Sequence, residues 1–159
     1  MQNLPIAQPE LRVGRLARPA VQHAMRYRVV YADTDAMGVV YHARYLDIAE
    51  RSRTEFIATA GIDLGEVERR HGILLLVNRV RADYRVPVLL HQQAEITSSV
   101  LKVGASQVWW RSQISVDGRL AANLDVATAC FHKESQQIVP LPADLAERIA
   151  SLPTEEFPQ

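Results

Sequence analysis

The sequence predicts an α+β domain in which an antiparallel sheet wraps around one long helix. Residues 42–60 place apolar side chains at helical spacing and contain no proline. Runs typical of strands follow within residues 73–132, and Asp117-Gly118 between the last two is a strong hairpin signal. Because consecutive strands joined by short turns pair antiparallel, one helix ahead of a series of strands favours this arrangement.

The elements are expected in the order strand, long helix, short helix and four strands. Residues 25–31 largely alternate apolar with polar side chains, which is typical of a half-buried strand. Gly61 ends the long helix, and Asp63 caps a short helix that Gly72 ends. The later elements are four strands and a short helix, at Ile73–Tyr84, 94–103, Gln107–Val116, 120–132 and Ala143–Ala150.

The length of 159 residues, 48% of them hydrophobic, suits a single domain. We assign residues 23–150 to this domain, residues 1–22 to a mobile N-terminal leader and residues 151–159 to a flexible tail. The leader is rich in proline, glutamine and arginine and lacks the apolar block of a secretory signal. A chain that starts at Gln22 is therefore expected to keep its activity.

Charge and cysteine content exclude several classes of partner. The 18 basic and 18 acidic residues give a formal net charge of zero, so no global field attracts a nucleic acid or an anionic membrane. The longest uninterrupted aliphatic run, 73–77, is far shorter than the roughly 20 residues of a membrane-spanning helix, so we expect no membrane insertion. Cys130 is the single cysteine, which precludes an internal disulfide and favours the cytoplasm.

The most informative segment runs from residue 31 to residue 45, Tyr-Ala-Asp-Thr-Asp-Ala-Met-Gly-Val-Val-Tyr-His-Ala-Arg-Tyr. Asp35 precedes Gly38, which permits a sharp turn, and the segment leads into the long helix. A carboxylate near a helix start, where backbone N–H groups lack partners, suits acyl transfer. Asp35 is therefore the main catalytic candidate. The alternative is that Asp33 and Asp35 only cap a turn.

Four further residues in and near this segment have a functional and a structural interpretation. His42, at the helix start, could bond a carboxylate or present its backbone N–H to a substrate carbonyl, or serve the structure alone. Tyr31 points to the same side as Asp35 if the first strand continues that far, although most such tyrosines only pack. Glu50 and Arg53 can form an ion pair on the helix, whereas a buried Glu50 facing the turn would be a rival base.

Metal and cofactor chemistry lacks support in the sequence. The histidines outside the segment, which are His23, His71, His91 and His132, show no metal-ligand spacing. Gly-x-Ser-x-Gly, phosphate-loop and dinucleotide fingerprints are missing from the chain, so we predict neither a metal nor a cofactor. Trp109 and Trp110 are adjacent in a strand and point to opposite faces, so one is expected in the core and the other at an oligomer interface.

The block from Tyr31 to Leu46, with Glu50 and Arg53 after it, resembles the hot-dog-fold acyl-CoA thioesterases of the 4-hydroxybenzoyl-CoA thioesterase family. Within that family it is most similar to the bacterial branch associated with the Tol–Pal system. The resemblance covers residues 25–140 and rests on several residue types at fixed offsets. It implies a hot-dog fold, an antiparallel five-stranded sheet wrapped around a long central helix.

The resemblance also implies roles for individual residues. Asp35 matches the family's catalytic carboxylate, the backbone N–H of His42 matches the donor that polarises the thioester carbonyl, and Tyr31 and the His42 ring accompany them. The residues expected to bind substrate are Gly38, Val39, Tyr41 and Lys102. Lys102 is the only charged residue in 101–106, where the 4-hydroxybenzoyl-CoA enzyme carries a basic cluster for the nucleotide, and Arg79 and Arg81 could supplement it.

The function predicted in this way is hydrolysis of an acyl-CoA thioester by a homodimer or homotetramer with coenzyme A across a subunit boundary. Asp35 would act as nucleophile or as general base, and the sequence leaves both routes open. Two alternatives remain. One is a hot-dog dehydratase that leaves the thioester intact, and the other is a non-catalytic module that binds acyl-CoA or an acyl carrier protein.

Overall fold

The computed structural model describes residues 23–155, so the predicted leader at 1–22 lies outside the described residues. These described residues form three α-helices, α1 (Arg44–Thr59), α2 (Leu64–His71) and α3 (Ala143–Ala150). The strands are β1 (Ala24–Arg28), β2 (Ile73–Tyr84), β3 (Gln93–Val103), β4 (Gln107–Val116), β5 (Arg119–His132) and β6 (Gln137–Ile138). None of the helices in this part of the chain is long and apolar enough to cross a membrane.

One antiparallel sheet organises the fold. Its strand order is β1-β3-β4-β5-β2, and the two-residue β6 extends it beside the end of β5. α1 packs on one face, mainly over β3 and β4. This is the predicted hot-dog fold, which is therefore confirmed with one additional short strand.

The predicted elements agree closely with the observed ones, apart from the first strand. β2, β4 and α3 have the predicted bounds, Asp63 caps α2 through hydrogen bonds to the N–H groups of Gly65 and Glu66, and Gly72 ends it with a φ of 65°. β1, by contrast, ends at Arg28 and is followed by a 3-10 turn at Tyr31–Asp33. The prediction of a strand through residue 31 was wrong, because local alternation does not show where the partner strand stops.

Two of the three buried apolar clusters in the described residues pack against α1, and the small third one surrounds Trp109. One surrounds Ile48 near the helix start and the other surrounds Phe56 near its end. Between these levels the hydroxyl of Ser52 bonds that of Ser98 at 2.9 Å, and Ser98 lies 3.4 Å from Ser112. Each of these three buried hydroxyls therefore has a hydrogen-bond partner. The bond between Ser52 and Ser98 also fixes the position of α1 relative to β3.

Both adjacent tryptophans are covered within the chain. Trp110 is buried in the core, and its Nε1 donates to Thr128 Oγ1 at 2.9 Å. Trp109 lies on the outer face of the sheet, but it is only 8% exposed because the guanidinium groups of Arg79 and Arg81 lie 6.0 and 5.8 Å from its ring centroid. The expectation that one tryptophan faces an oligomer interface was therefore wrong.

The two edges of the sheet differ in their cover. At β3, beyond the end of β1, the C-terminal segment pairs with Val100, whose N–H donates to Pro153 O at 2.9 Å. Residues 151–155, which the sequence assigned to a flexible tail, thus make backbone hydrogen bonds with the sheet. β2 forms the other edge, and its exposed apolar side chains are Leu76, Val77, Val80 and Tyr84.

Candidate functional site

The predicted site lies on a tight turn between the 3-10 turn and α1. The N–H of Asp35 donates to Val39 O and that of Gly38 donates to Asp35 O, both at 3.0 Å. Gly38 has a φ of 74°, a left-handed conformation that a residue with a Cβ adopts only with strain. The glycine from which the sequence predicted a sharp turn is therefore required by the backbone conformation at this position.

The connection between β2 and β3 holds this turn in place. The N–H of Val40 donates to Val88 O at 2.8 Å, and the N–H of Leu90 donates to Gly38 O at 3.0 Å. Val88 is buried, whereas Leu89 and Met37 are exposed. Backbone hydrogen bonds thus hold the turn against the connection between β2 and β3, while the side chains of Met37 and Leu89 present apolar surface to solvent.

Asp35 is exposed at the start of the turn. Its Oδ1 accepts a hydrogen bond from the N–H of Met37 at 2.8 Å, which fixes the orientation of the carboxylate. Within residues 23–155 its Oδ2 accepts no hydrogen bond. One oxygen is therefore held by the backbone while the other is available to a substrate carbonyl or a water, which is the arrangement that a nucleophile or a general base requires.

Asp33 has the opposite character, since it is completely buried. Its carboxylate accepts hydrogen bonds from the Tyr27 hydroxyl at 3.0 Å, the Val30 N–H at 2.9 Å and Arg44 Nη2 at 2.9 Å. Burial alone would raise the pKa of Asp33, but these hydrogen bonds, above all that from Val30, outweigh it and the pKa is lowered. Asp33 is therefore wholly engaged in structural bonds, whereas Asp35 caps the turn through one carboxylate oxygen only.

α1 begins beside the turn, at a point where a backbone donor lacks a partner among the described residues. Ala43 is the N-cap residue and supplies no side-chain cap. Among the described residues, the backbone N–H of His42 makes no hydrogen bond, while its carbonyl accepts one from the Tyr84 hydroxyl at 2.9 Å. A free N–H next to the positive end of a helix can stabilise an oxyanion.

The side chains of His42 and Tyr31 each pack against another aromatic ring. The His42 ring packs 4.3 Å from the Tyr41 ring, centroid to centroid. Tyr31 is 75% exposed and meets His91 edge-on at 5.6 Å. No hydrogen bond or ring contact joins Asp35, His42 and Tyr31 in the described part of the chain. The strand that was expected to align Tyr31 with Asp35 has already ended at Arg28.

Three residues near the site were missed from the sequence. Tyr84 at the end of β2 bonds His42, Tyr45 on α1 packs 5.2 Å from the Tyr84 ring, and Arg44 joins α1 to Asp33. For Arg44 and Tyr45, their position in the segment from residue 31 to residue 45 was a local signal of a place near the site. The involvement of Tyr84 depends on a contact over 42 residues of chain, which periodicity does not indicate.

Lys102 lies far from the turn, on β3 and on the outer face of the sheet. It pairs in register with Trp109 of β4, whose ring Arg79 and Arg81 of β2 cover. The fold thus gathers three exposed cations around one tryptophan, on the face opposite to α1. A ligand that touches both this basic cluster and Asp35 has to pass around a sheet edge or across a subunit boundary.

The expected ion pair on α1 is missing. Glu50 is exposed, Arg53 is only 8% exposed, and no ion pair joins them within 4.0 Å. The prediction of a Glu50–Arg53 pair was wrong, because the two side chains leave the helix in different environments. Glu50 also lacks the burial that would make it a rival base. In residues 23–155, no cluster of three or more His, Cys, Asp or Glu side chains could hold a metal ion.

The sequence pattern of the thioesterase-like superfamily matches residues 29–149. The 1,4-dihydroxy-2-naphthoyl-CoA hydrolase of Synechococcus elongatus is 32% identical over 124 residues, which are 74% of this chain and 87% of that protein. The acyl-CoA thioesterase YbgC of Haemophilus influenzae is 29% identical over 118 residues, with the same two coverages.

Solved structures show the same architecture. The TT1821 protein of Thermus thermophilus superimposes with a TM-score of 0.76 at 25% identity, over 82% of this chain and 99% of that one. The 1,4-dihydroxy-2-naphthoyl-CoA thioesterase Slr0204 of Synechocystis gives a TM-score of 0.74 at 19% identity, over 83% of this chain and 98% of that one, and supports the fold alone.

Proposed function

Because this chain belongs to the thioesterase-like superfamily, we propose that it hydrolyses an acyl-CoA thioester to the free acid and coenzyme A. The observation that carries the proposal is an exposed Asp35 carboxylate, with one oxygen bonded by the backbone, on the turn that leads to the His42 N–H, a donor without a partner among residues 23–155. The relatives named as an acyl-CoA thioesterase and as a 1,4-dihydroxy-2-naphthoyl-CoA hydrolase support it. We also propose that the chain falls in the Tol–Pal-associated branch and acts in the cytoplasm, consistent with its motif and its single cysteine.

The chemistry requires few groups. A thioester carbonyl is electrophilic and a thiolate leaves readily, so one oriented carboxylate and one oxyanion donor suffice. Asp35 would either attack the carbonyl carbon, releasing the thiolate and leaving a mixed anhydride for water to open, or deprotonate the attacking water. In both routes the His42 N–H would stabilise the oxyanion, an interaction whose loss typically costs about 2.7–4 kcal/mol.

The remaining residues of the segment would position the substrate. Gly38 permits close approach of the acyl thioester to the backbone, and Val39 and Tyr41 would contact it from either side of the turn. The exposed Tyr31 and the His42 ring would orient substrate or water. These roles rest on the motif and on the exposure of the side chains.

The experiment that tests the proposal is release of free thiol from a panel of acyl-CoA thioesters, measured with a thiol dye. Steady turnover of one or more thioesters is the expected result. A dehydratase would convert the acyl group and leave the thioester intact. A non-catalytic module for acyl-CoA or an acyl carrier protein would bind without releasing thiol, and either result would reject hydrolysis.

We propose further that the chain functions as a homodimer or homotetramer whose subunits meet at the β2 edge. β2 pairs with β5 alone among the described strands, and its exposed apolar side chains include Leu76 at 42% and Val77 at 48%. An uncovered strand edge with apolar side chains tends to pair with another chain. Tyr84 at the end of β2 also contacts His42, so a second copy on this edge would border the catalytic segment.

Light scattering should therefore give at least twice the chain mass of 17.8 kDa at micromolar concentration. Val77→Glu should lower the mass because it places a charge on the proposed interface. Ile138→Glu is the matched control, since Ile138 is equally apolar and 60% exposed on β6. A wild-type mass of 17.8 kDa, or equal effects of the two variants, would argue against the β2 interface.

The nucleotide end of coenzyme A is assigned to the basic cluster of Lys102, Arg79 and Arg81. Its position on the outer face of the sheet agrees with a coenzyme that crosses a subunit boundary. Lys102→Ala should raise KM for the CoA thioester and leave kcat nearly constant, because a remote phosphate contact is equally strong in ground and transition states.

A truncated pantetheine thioester, which lacks the phosphates, is the control substrate for Lys102→Ala. The variant should process it like the wild type. Lys133→Ala, which removes another exposed lysine whose partner is Glu68 at 2.5 Å, controls for loss of charge in general. An equal rise in KM for both thioesters would reject Lys102 as a phosphate ligand.

Residues 1–22 are proposed to be dispensable for catalysis, because the superfamily match begins at residue 29. A chain that starts at Gln22 should show the kcat/KM of the full chain and the same subunit number. Loss of activity at unchanged subunit number would instead assign the N-terminal residues a part in a neighbouring site.

A further inference from the structure

Tyr84 holds a part of the catalytic segment that the backbone of α1 does not hold. It is the last residue of β2, and its hydroxyl donates a hydrogen bond to His42 O at 2.9 Å, across 42 residues of chain. None of the backbone N–H groups in residues 23–155 donates to His42 O. Within that part of the chain, the Tyr84 phenol is therefore the donor that fixes this carbonyl.

His42 lies between two peptide groups, and each of them is held on its carbonyl side. The carbonyl of Tyr41 accepts the N–H of Arg44 at 2.8 Å, and the carbonyl of His42 accepts the Tyr84 hydroxyl. A trans peptide group is planar, so its C=O and N–H point in opposite directions and turn together. The Arg44 bond therefore orients the plane that carries the His42 N–H, and the Tyr84 bond holds the plane that follows it.

The Tyr84 hydroxyl is itself placed by a well-ordered part of the fold. Tyr84 pairs in register with Ala122 of β5, and the next N–H, that of Arg85, donates to Ala121 O at 2.8 Å. The Tyr84 ring packs 5.2 Å from the ring of Tyr45, which is only 5% exposed. The sheet thus fixes the backbone of Tyr84, and a buried ring fixes its side chain.

The Tyr84 phenol is suited to act as a donor and not as an acid or a base. Partial burial raises its pKa above the ordinary value of about 10, so the hydroxyl keeps its proton at neutral pH. That proton is engaged with His42 O, and the ring meets the His42 ring edge-on at 6.5 Å. The contacts of Tyr84 with the catalytic segment are therefore contacts with His42.

We propose that Tyr84 is a positioning residue of the hydrolysis, whose hydroxyl holds the His42 backbone so that the His42 N–H meets the oxyanion of the tetrahedral intermediate. The inference rests on the proposed thioesterase function. An oxyanion donor is most effective when it is aligned before the reaction, because a donor that must reorient loses part of its effect. The carbonyl of the bound substrate carries less negative charge than the oxyanion, so poor alignment weakens the transition state more than the ground state.

Tyr84→Phe tests this role because it removes the hydroxyl and keeps the ring beside Tyr45. We expect kcat to fall about tenfold, less than the roughly 10²–10³ for loss of an oxyanion donor, since the His42 N–H stays in the chain but is held less firmly. KM should stay within about twofold of the wild-type value. The thermal midpoint and the mass in solution should not change.

Two inhibitors distinguish positioning from a general loss of packing. A CoA trifluoromethyl ketone forms a tetrahedral hydrate with an oxygen where the oxyanion develops, whereas an S-alkyl CoA thioether has no carbonyl. Tyr84→Phe should weaken the ketone about tenfold and the thioether by less than about twofold.

Tyr45→Phe is the matched control for the inhibitor comparison. It removes the hydroxyl of the neighbouring ring, which accepts the Val88 N–H at 3.3 Å rather than bonding His42. It should lower the thermal midpoint, because a buried N–H loses its acceptor. The ratio of the two inhibition constants should stay at the wild-type value.

Several results would overturn the inference. A normal kcat in Tyr84→Phe would reject it, and a raised KM with an unchanged kcat would make Tyr84 a substrate contact. Equal weakening of the ketone and the thioether would reduce its role to packing, and a lower mass in solution would assign the effect to the β2 edge. If the wild type hydrolyses no thioester of the panel, the proposed function fails. If it hydrolyses one and Tyr84→Phe keeps its kcat, only this inference fails.

Discussion

Asp35→Asn should lower kcat at least about a hundredfold, the low end of what one positioned catalytic group contributes. The amide retains the size of the carboxylate and can still accept the Met37 N–H bond at 2.8 Å that fixes the turn. It is neither a nucleophile nor a base towards a thioester. Because Asp35 is exposed and its other oxygen has no hydrogen bond among the described residues, the fold should not depend on its charge.

The measurement is steady-state thiol release with the thioester that the wild type hydrolyses fastest, together with the thermal midpoint and the mass in solution. The midpoint and the mass should be unchanged. Glu50→Gln is the matched control, since it neutralises the exposed carboxylate that would be the rival base on α1. Near-normal turnover by Asp35→Asn with a large loss in Glu50→Gln would move the catalytic role to Glu50.

Much of the fold could be predicted from the sequence because the signals are local. α1 has an uninterrupted helical period, α2 has a capping aspartate and a left-handed glycine, and the Asp117-Gly118 hairpin requires positive φ values of 50° and 72°. The motif similarly located a turn and a helix start. In each of these cases the residues that specify the conformation are adjacent in the chain.

The errors concern contacts between distant residues. The 3-10 turn at Tyr31–Asp33 follows from bonds that Asp33 receives from Tyr27 and Arg44, on either side of it in the chain. Trp109 is covered by arginines that lie about 30 residues earlier. Glu50 and Arg53, by contrast, are only one helical turn apart, and they form no ion pair in residues 23–155 because Arg53 lies on the buried face and Glu50 on the exposed one. A periodic pattern does not encode these pairings, since they depend on the register between elements.

The second large effect is expected at Asp33, which joins three parts of the site. Its carboxylate bonds Tyr27 on β1, the backbone of Val30 and Arg44 at the start of α1, and its carbonyl accepts the Tyr41 N–H at 2.9 Å. Asp33→Asn replaces a carboxylate surrounded by donors with an amide that brings its own donors. We expect a loss of about 3 kcal/mol in the free energy of unfolding, within the range for breaking a buried pair.

The pH dependence of this loss follows from the lowered pKa of Asp33. A carboxyl whose pKa is lower in the folded than in the unfolded state stabilises the fold above its unfolded value of about 3.9. The contribution disappears as the pH falls through the folded pKa. The difference in unfolding free energy between the wild type and Asp33→Asn should therefore be full at pH 7 and shrink below about pH 4.

Urea unfolding of both proteins across pH 3 to 7 measures this difference, and Asp47→Asn provides the matched control. Asp47 bonds the same Arg44 at 2.5 Å, but its side chain is 53% exposed where that of Asp33 is 0% exposed. An exposed ion pair contributes about 0–1 kcal/mol, so Asp47→Asn should cost far less than Asp33→Asn. Equal losses would mean that Arg44 merely needs a counter-charge. A larger loss for Asp33→Asn, accompanied by a fall in kcat, would show that the buried carboxylate holds the Asp35 turn against the helix start.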